Sequence, residues 1–382
     1  MNDELISYLE ETHSRRLSAL PTNLRPFTRE TRNLPRCMVL TGPRGVGKTT
    51  FLIHHAQGRR FLYLSADNPY VAQESLYGIV RDVFLAGYKG VIIDEAHFAR
   101  DWSLHAKALS DDFPDRSVWL SDSSSLVLRS GAGDLSRRYV PVVMPILSFR
   151  EYLALRVGTD YPVFDPFGEI PVHADADLLR YHAEYRREGT RPFFAEGYYA
   201  ERMREILHKT LHYDVPFFLP TVTDGNLRLM NAIVGTLAQA SIPRLHVRSL
   251  CADWGIGAEK LYQLLFVMES VGVLRIVRRR NDTKARTAGD RLFFGDPTMY
   301  SVLKGDSGNA RESLVVAAFA EAGHTVESTG DESAGDFVIN GDVTIEVGGH
   351  RKARKAAQYV IRDGLDVPAG NAVPLWAVGF QY

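Results

Sequence analysis

Gly42-Pro43-Arg44-Gly45-Val46-Gly47-Lys48-Thr49 fills every fixed position of the pattern G-x-x-x-x-G-K-[ST], and it follows the apolar run Cys37-Met38-Val39-Leu40. Three glycines let a backbone curl until its N–H groups point inward, which makes a cradle for phosphate oxygens. The helix-like stretch Thr50-Phe51-Leu52-Ile53-His54-His55-Ala56 comes next, so the loop would open a helix whose N-terminal dipole favours the same anion. Strand, loop and helix together predict a bound nucleoside triphosphate cradled by residues 42–50. Lys48 would neutralise the β/γ-phosphates, and Thr49 would hold Mg²⁺ through its hydroxyl.

Around this loop, strand-like runs at 37–41, 60–64, 90–93, 117–120 and 139–144 alternate with helical ones. That alternation predicts a parallel sheet with helices on both faces. The run Val91-Ile92-Ile93 ends in Asp94-Glu95, as the second element of a phosphate site must: Asp94 would order the metal shell and Glu95 would polarise the attacking water. Asp94-Glu95-Ala96-His97 also spells the DEAH box of a helicase class. Such helicases need two lobes, whereas one phosphate loop and a helical texture after residue 150 predict a single lobe, with His97 an ordinary local helix residue. The strand Val118-Trp119-Leu120-Ser121, followed by Asp122-Ser123-Ser124, would lie beside the Asp94 strand and present Ser121 or Ser123 to the γ-phosphate. A plain turn rich in Ser and Asp is the alternative.

The chain has 382 residues, 45% of them hydrophobic, and a formal net charge of −1, which argues against a globally basic nucleic-acid binder. No apolar run approaches the roughly 18 residues of a membrane span, and the acidic start Met1-Asn2-Asp3-Glu4 does not open like a secretory leader. Two cysteines, Cys37 and Cys251, in apolar contexts are expected to be buried and suit a reducing cytoplasm. Arg275, Arg278, Arg279, Arg280, Lys284, Arg286 and Arg291 nevertheless crowd one short window.

Four domains are expected. Residues 1–148 hold the nucleotide core, entered through an amphipathic helix at 3–19 and a basic linker with Arg25, Arg29, Arg32 and Arg36. Residues 149–240, rich in Tyr, Arg and Glu without a strand period, read as a helical lid. Residues 241–305 read as helix-turn-helix plus β wing, a winged helix. Residues 306–382 read as a small α/β domain with a helix at 309–322, strands near 336–339 and 344–347, a basic helix from Lys352 and a final strand 374–380.

The order of phosphate loop, Asp94-Glu95, Ser-rich turn, Leu135-Ser136-Arg137-Arg138 and Leu147-Ser148-Phe149-Arg150-Glu151-Tyr152-Leu153 resembles the prokaryotic AAA-type ATPases that carry a C-terminal domain of unknown function. Phe293-Phe294-Gly295-Asp296-Pro297, Asn309-Ala310-Arg311-Glu312-Ser313-Leu314-Val315, Asp336-Phe337-Val338, Ile345-Glu346-Val347-Gly348-Gly349 and Pro374-Leu375-Trp376-Ala377-Val378-Gly379-Phe380 continue the likeness over about nine-tenths of the chain. The resemblance implies ATP with Mg²⁺, an α/β P-loop NTPase (AAA+-like) core, and a C-terminal domain of restriction-endonuclease-like fold. It also implies that Arg138 inherits the family's arginine, either as a finger into a neighbour's site in an oligomer or as a structural ion pair. Gly189-Thr190-Arg191 sits where a lid would contribute a second sensing arginine; an ordinary structural arginine is the other reading.

A nuclease of that class needs an acidic residue, then E-x-K on the next strand. Asp336 and Glu346, with Glu312, fit the acidic positions, but Gly348 stands where the lysine belongs and only His350 or Lys352 could substitute. A retained fold without metal chemistry is therefore expected. DNA contact through the wing and Arg278, Arg279 and Arg280 is one reading of the basic window, and a protein-docking module is the other. The expected output is an ATP-driven regulatory switch, with an ATP-driven DNA motor or nuclease, or a nucleotide-binding scaffold that hardly hydrolyses, as alternatives.

Overall fold

Five short apolar runs become one parallel sheet: β1 (Cys37–Thr41), β2 (Phe61–Ser65), β3 (Gly90–Asp94), β4 (Ser117–Asp122) and β5 (Val140–Val143), in the order β2-β3-β4-β1-β5. Every residue of β1 and β3 is buried, as strands covered on both faces must be. The computed structural model describes residues 3–123, 135–219, 221–240, 247–279, 291–329, 333–350 and 356–382. The register aligns Leu40 with Ser121, Thr41 with Asp122 and Ser65 with Asp94. The polar residues that end β2, β3 and β4 thus share one edge with the loop that leaves β1, the edge at which open α/β sheets bind ligands.

Helices α1 (Asp3–Ser18), α2 (Pro26–Glu30), α3 (Lys48–Ala56), α4 (Pro69–Ala72), α5 (Leu76–Leu85) and α6 (Trp102–Asp112) accompany this sheet. Helix α5 shows why: Leu76, Ile79, Val80, Val83 and Phe84 are buried, the i, i+3, i+4, i+7 spacing of one helical face. They join Leu9 of α1, Leu109 of α6, Ile93 and Leu120 in a single core. The fold is thus an α/β P-loop NTPase.

The chain divides into two units, Met1–Pro145 and Ile146–Tyr382. The second unit begins with α7 (Phe149–Val157), α8 (Ala176–Glu188), α9 (Tyr199–Lys209), α10 (Val215–Phe218) and α11 (Asp224–Gln239). The motif Ser148-Phe149-Arg150-Glu151 is a capping box: Ser148 Oγ accepts from the Glu151 amide at 3.2 Å, and Glu151 Oε2 accepts from the Ser148 amide at 3.3 Å. Phe149, Tyr152, Leu178 and Tyr185 share a core with Phe319, Phe337, Trp376 and Phe380, because these aromatic faces bury against residues far along the chain.

Within 241–305 the described residues form α12 (Val247–Trp254), α13 (Ala258–Ser270) and the antiparallel pair β6 (Leu274–Val277) and β7 (Arg291–Phe294). Then come α14 (Thr298–Val302), α15 (Ser307–Glu321) and a sheet of β8 (Val326–Ser328), β9 (Phe337–Ile339), β10 (Val343–Gly348), β11 (Tyr359–Arg362) and β12 (Ala372–Pro374), ordered β12-β11-β10-β9-β8. The expected final strand ends at Pro374, and Leu375–Phe380 coil into a buried 3₁₀ helix. The basic helix from Lys352 falls partly on 351–355, outside the described residues. Cys37 is buried, whereas Cys251 is only half-buried. Among the described residues no helix is long and apolar enough to cross a membrane.

Candidate functional site: the phosphate loop and its carboxylates

The loop after β1 curls as its glycines allow. Gly42 has φ +156°, and a Cβ there would lie 2.3 Å from the Met144 carbonyl oxygen, so only glycine fits. Gly47, at φ 101°, is the N-cap of α3. Val46 is fully buried beneath the loop. The Lys48 ammonium folds back over the loop and donates to the carbonyls of Gly42 at 2.8 Å and Pro43 at 3.2 Å. Burial pushes its pKa down, opposed by the charges of Glu95, Asp94 and Asp122. Thr50 is half-buried in the first turn of α3.

Asp94 is the hub. Its Oδ2 accepts from Thr49 Oγ1 at 2.7 Å and from the Tyr63 hydroxyl at 3.0 Å, while Ser121 Oγ donates to Oδ1. Between Ser121 and Ser123, Ser121 is thus the hydroxyl on Asp94, and Ser123 Oγ reaches Glu95 Oε2 at 3.4 Å. The hydroxyl of Thr49 and the carboxylate of Asp94 supply hard oxygen donors side by side, a set that fits Mg²⁺.

Glu95 adopts φ 50°, the left-handed region that costs a non-glycine residue about 1–3 kcal/mol. That turn brings its carboxylate to Arg44 of the phosphate loop, at 3.1 Å. Burial raises the Glu95 pKa, against the pull of Arg44 and Lys48. His97 is no ordinary local residue: it is buried, and its Nδ1 sits 2.5 Å from Asp122 Oδ2 and 3.8 Å from Glu95 Oε2. Glu95, His97 and Asp122 are the one trio of His, Asp or Glu donors within metal-binding reach among the described residues.

Sequence reasoning missed Tyr63, Asp122 and, above all, Arg25. Arg25 reads as part of a basic linker, yet it is 4% exposed and its Nη1 donates to the carbonyls of Val46 at 3.2 Å and Pro145 at 2.9 Å. Nothing in local spacing marks it, since both acceptors are backbone.

Residues 35–153 match the family model described as AAA domain. That span covers β1 to β5, the loop, Asp94, Glu95 and the start of α7. No curated protein matches the chain. Among solved structures, it is similar to a Walker-type ATPase of Pyrococcus abyssi at 16% identity and TM-score 0.42, covering 77% of this chain and 95% of that one. It is also similar to RuvB of Thermotoga maritima at 16% identity and TM-score 0.34, covering 78% and 95%.

Several of the other expected residues have partners within their own unit. Arg138 makes a two-pronged pair with Asp111, Nε to Oδ1 at 2.7 Å and Nη2 to Oδ2 at 2.8 Å. Arg191 is 3% exposed and pairs with Asp296 at 2.6 Å inside the second unit, a structural arginine. Two carboxylates of the nuclease trio are bound by a protein cation: Arg291 pairs with Glu312 at 2.6 Å and Asp336 at 3.0 Å, and Val347 N–H donates to Asp336 Oδ2. Glu346 is fully buried. In the basic window Arg275 pairs with Glu321 and Arg278 with Glu269. Arg279 is exposed, and Arg280, Lys284 and Arg286 lie outside the described residues.

Proposed function

We propose that this protein binds ATP with Mg²⁺ in its first unit and hydrolyses it slowly, as a switch rather than a motor. The observation that carries the reading is the convergence of Thr49 and Ser121 on Asp94 beside a Lys48 already seated over the phosphate loop. Loop amides and Lys48 bind the phosphates and meet the negative charge that builds on them. Thr49 and Asp94 hold Mg²⁺, which when bound neutralises charge shared between the β- and γ-phosphates. Glu95 orients the attacking water and accepts its proton, and Ser121 keeps Asp94 in register with β4.

Slow turnover is supported by the Arg44–Glu95 pair. A base held by a cation of the phosphate loop is a poor proton acceptor until that contact loosens. The reading of the second unit as carrying a winged helix belongs to this proposal, and the order α12, α13, β6, β7 supports it. DNA as its partner finds less support, because Arg275, Arg278 and Arg291 are already paired with carboxylates. In the switch reading this module docks a protein.

The test is steady-state ATP hydrolysis with Mg²⁺, with and without DNA, for the wild type, Lys48→Ala and Glu95→Gln. Expected is slow turnover indifferent to DNA. It should fall about 10²–10⁴-fold in Glu95→Gln, as for loss of a general base, with nucleotide still bound. Lys48→Ala should lose nucleotide binding as well. Unchanged turnover in Glu95→Gln would refute the assignment, and DNA stimulation lost on neutralising Arg278 and Arg279 would replace the switch by a motor.

A further inference from the structure

Asp94 takes three hydroxyl donors, and they come from three directions. Thr49 belongs to the phosphate loop, Ser121 to β4 on one side of β3, and Tyr63 to β2 on the other side. Tyr63 is 1% exposed. Its ring is roofed by the Arg16 guanidinium of α1 at 5.5 Å from the ring centroid. It also lines, with Tyr8, Thr12, Arg16 and Asp94, a polar cleft of about 340 Å³ at the carboxyl ends of β2 and β3. A phenylalanine would fill the same space, and strands favour either ring. The hydroxyl is therefore the feature that needs a reason, and what it touches is the carboxylate expected to order the metal.

We propose that Tyr63 is a positioning residue for divalent-cation binding: its hydroxyl fixes Asp94 Oδ2 in the orientation from which the carboxylate serves the Mg²⁺ of a bound nucleotide. This rests on the ATP–Mg²⁺ reading above. Thr49 and Tyr63 share one oxygen of Asp94. When Thr49 is engaged by the metal, the bond from Tyr63 still holds that oxygen, so the carboxylate does not have to be reoriented as the cation arrives. Partners that orient a metal-serving carboxylate are commonly worth 10–100-fold in metal affinity or activity.

The test is binding of a fluorescent ATP analogue to the full chain, in EDTA and then in rising Mg²⁺, for the wild type and Tyr63→Phe. Expected is equal affinity in EDTA, which also reports an intact phosphate loop, and a Mg²⁺ midpoint raised about tenfold or more in the variant. In an Asp94→Asn background, Tyr63→Phe should add no further shift, because the two changes remove one interaction. A Tyr63 that serves only packing would lower the melting temperature and leave the Mg²⁺ midpoint where it was. An unchanged midpoint, or an undiminished shift in Asp94→Asn, overturns the proposal. The readout is binding, so a wild type that binds Mg²⁺ and nucleotide without hydrolysing them would sink the catalytic reading and leave this one standing. A wild type whose nucleotide affinity ignores Mg²⁺ would sink both.

Discussion

Replacing Arg25 by methionine should loosen the phosphate loop from behind. The guanidinium donates to two backbone carbonyls, Val46 inside the loop and Pro145 just beyond β5, and packs over Phe27 at 5.4 Å. Hydrogen bonds from a charged donor are worth about 1.5–3 kcal/mol each, and an orphaned buried acceptor costs a similar amount. Solvent screening is slight at 4% exposure. Methionine recovers some apolar contact, so the net loss should be about 3 kcal/mol, a large part of the ~5–15 kcal/mol that holds a typical domain together. If all of that loss fell on loop closure, nucleotide affinity would drop by about two powers of ten, at 1.36 kcal/mol for each. Loop closure in the wild type has some reserve, so weakening of about tenfold is the expected value. Urea unfolding followed in the first unit, together with equilibrium binding of an ATP analogue, measures both quantities. Stability within 0.5 kcal/mol of wild type and affinity within twofold would refute the view that Arg25 anchors the loop.

Two further outcomes follow from the second unit. Arg291→Met leaves Asp336 and the half-buried Glu312 facing each other without their cation, and should cost about 3 kcal/mol in urea unfolding; an unchanged midpoint would mean that Arg291 does not hold this cluster together. The second concerns His182, whose pKa burial lowers to about 3, helped by Arg186 and opposed by Asp363. Because the folded value lies below the unfolded 6.5, its contribution is full above pH 6.5 and is lost as the pH falls toward 3. At pH 5 the second unit should be about 2 kcal/mol less stable than at pH 7 from this group alone. His182→Leu should remove that slope, and a variant with the wild-type slope would locate the acid sensitivity elsewhere.

Much of the first unit was legible because its chemistry is local. The phosphate loop, the strand ending in Asp94-Glu95 and the hydroxyl of Ser121 are each written within a few consecutive residues, and backbone geometry turns that spacing into a cradle, a carboxylate and a donor. The alternation of apolar runs with helices likewise fixed a parallel sheet, since residues of a run must bury on both faces. That β4 lies beside β3 was expected from the sequence; its place between β1 and β3, and the bond from Ser121 to Asp94, came only with the fold.

What tertiary structure decided is every contact between residues distant along the chain. Arg25 reaches carbonyls 21 and 120 positions away, and carbonyls carry no sequence signal. Arg291 sits between Glu312 and Asp336, so two of the carboxylates that spelled a metal trio are bound by a side chain from β7. The aromatic residues of α7 and α8 revealed their helical period but not their partner, and they buried against the C-terminal sheet instead of forming a layer of their own. Local spacing sets which groups share a turn or a face; only packing decides which of those faces meet, because burial rewards any apolar partner that fits.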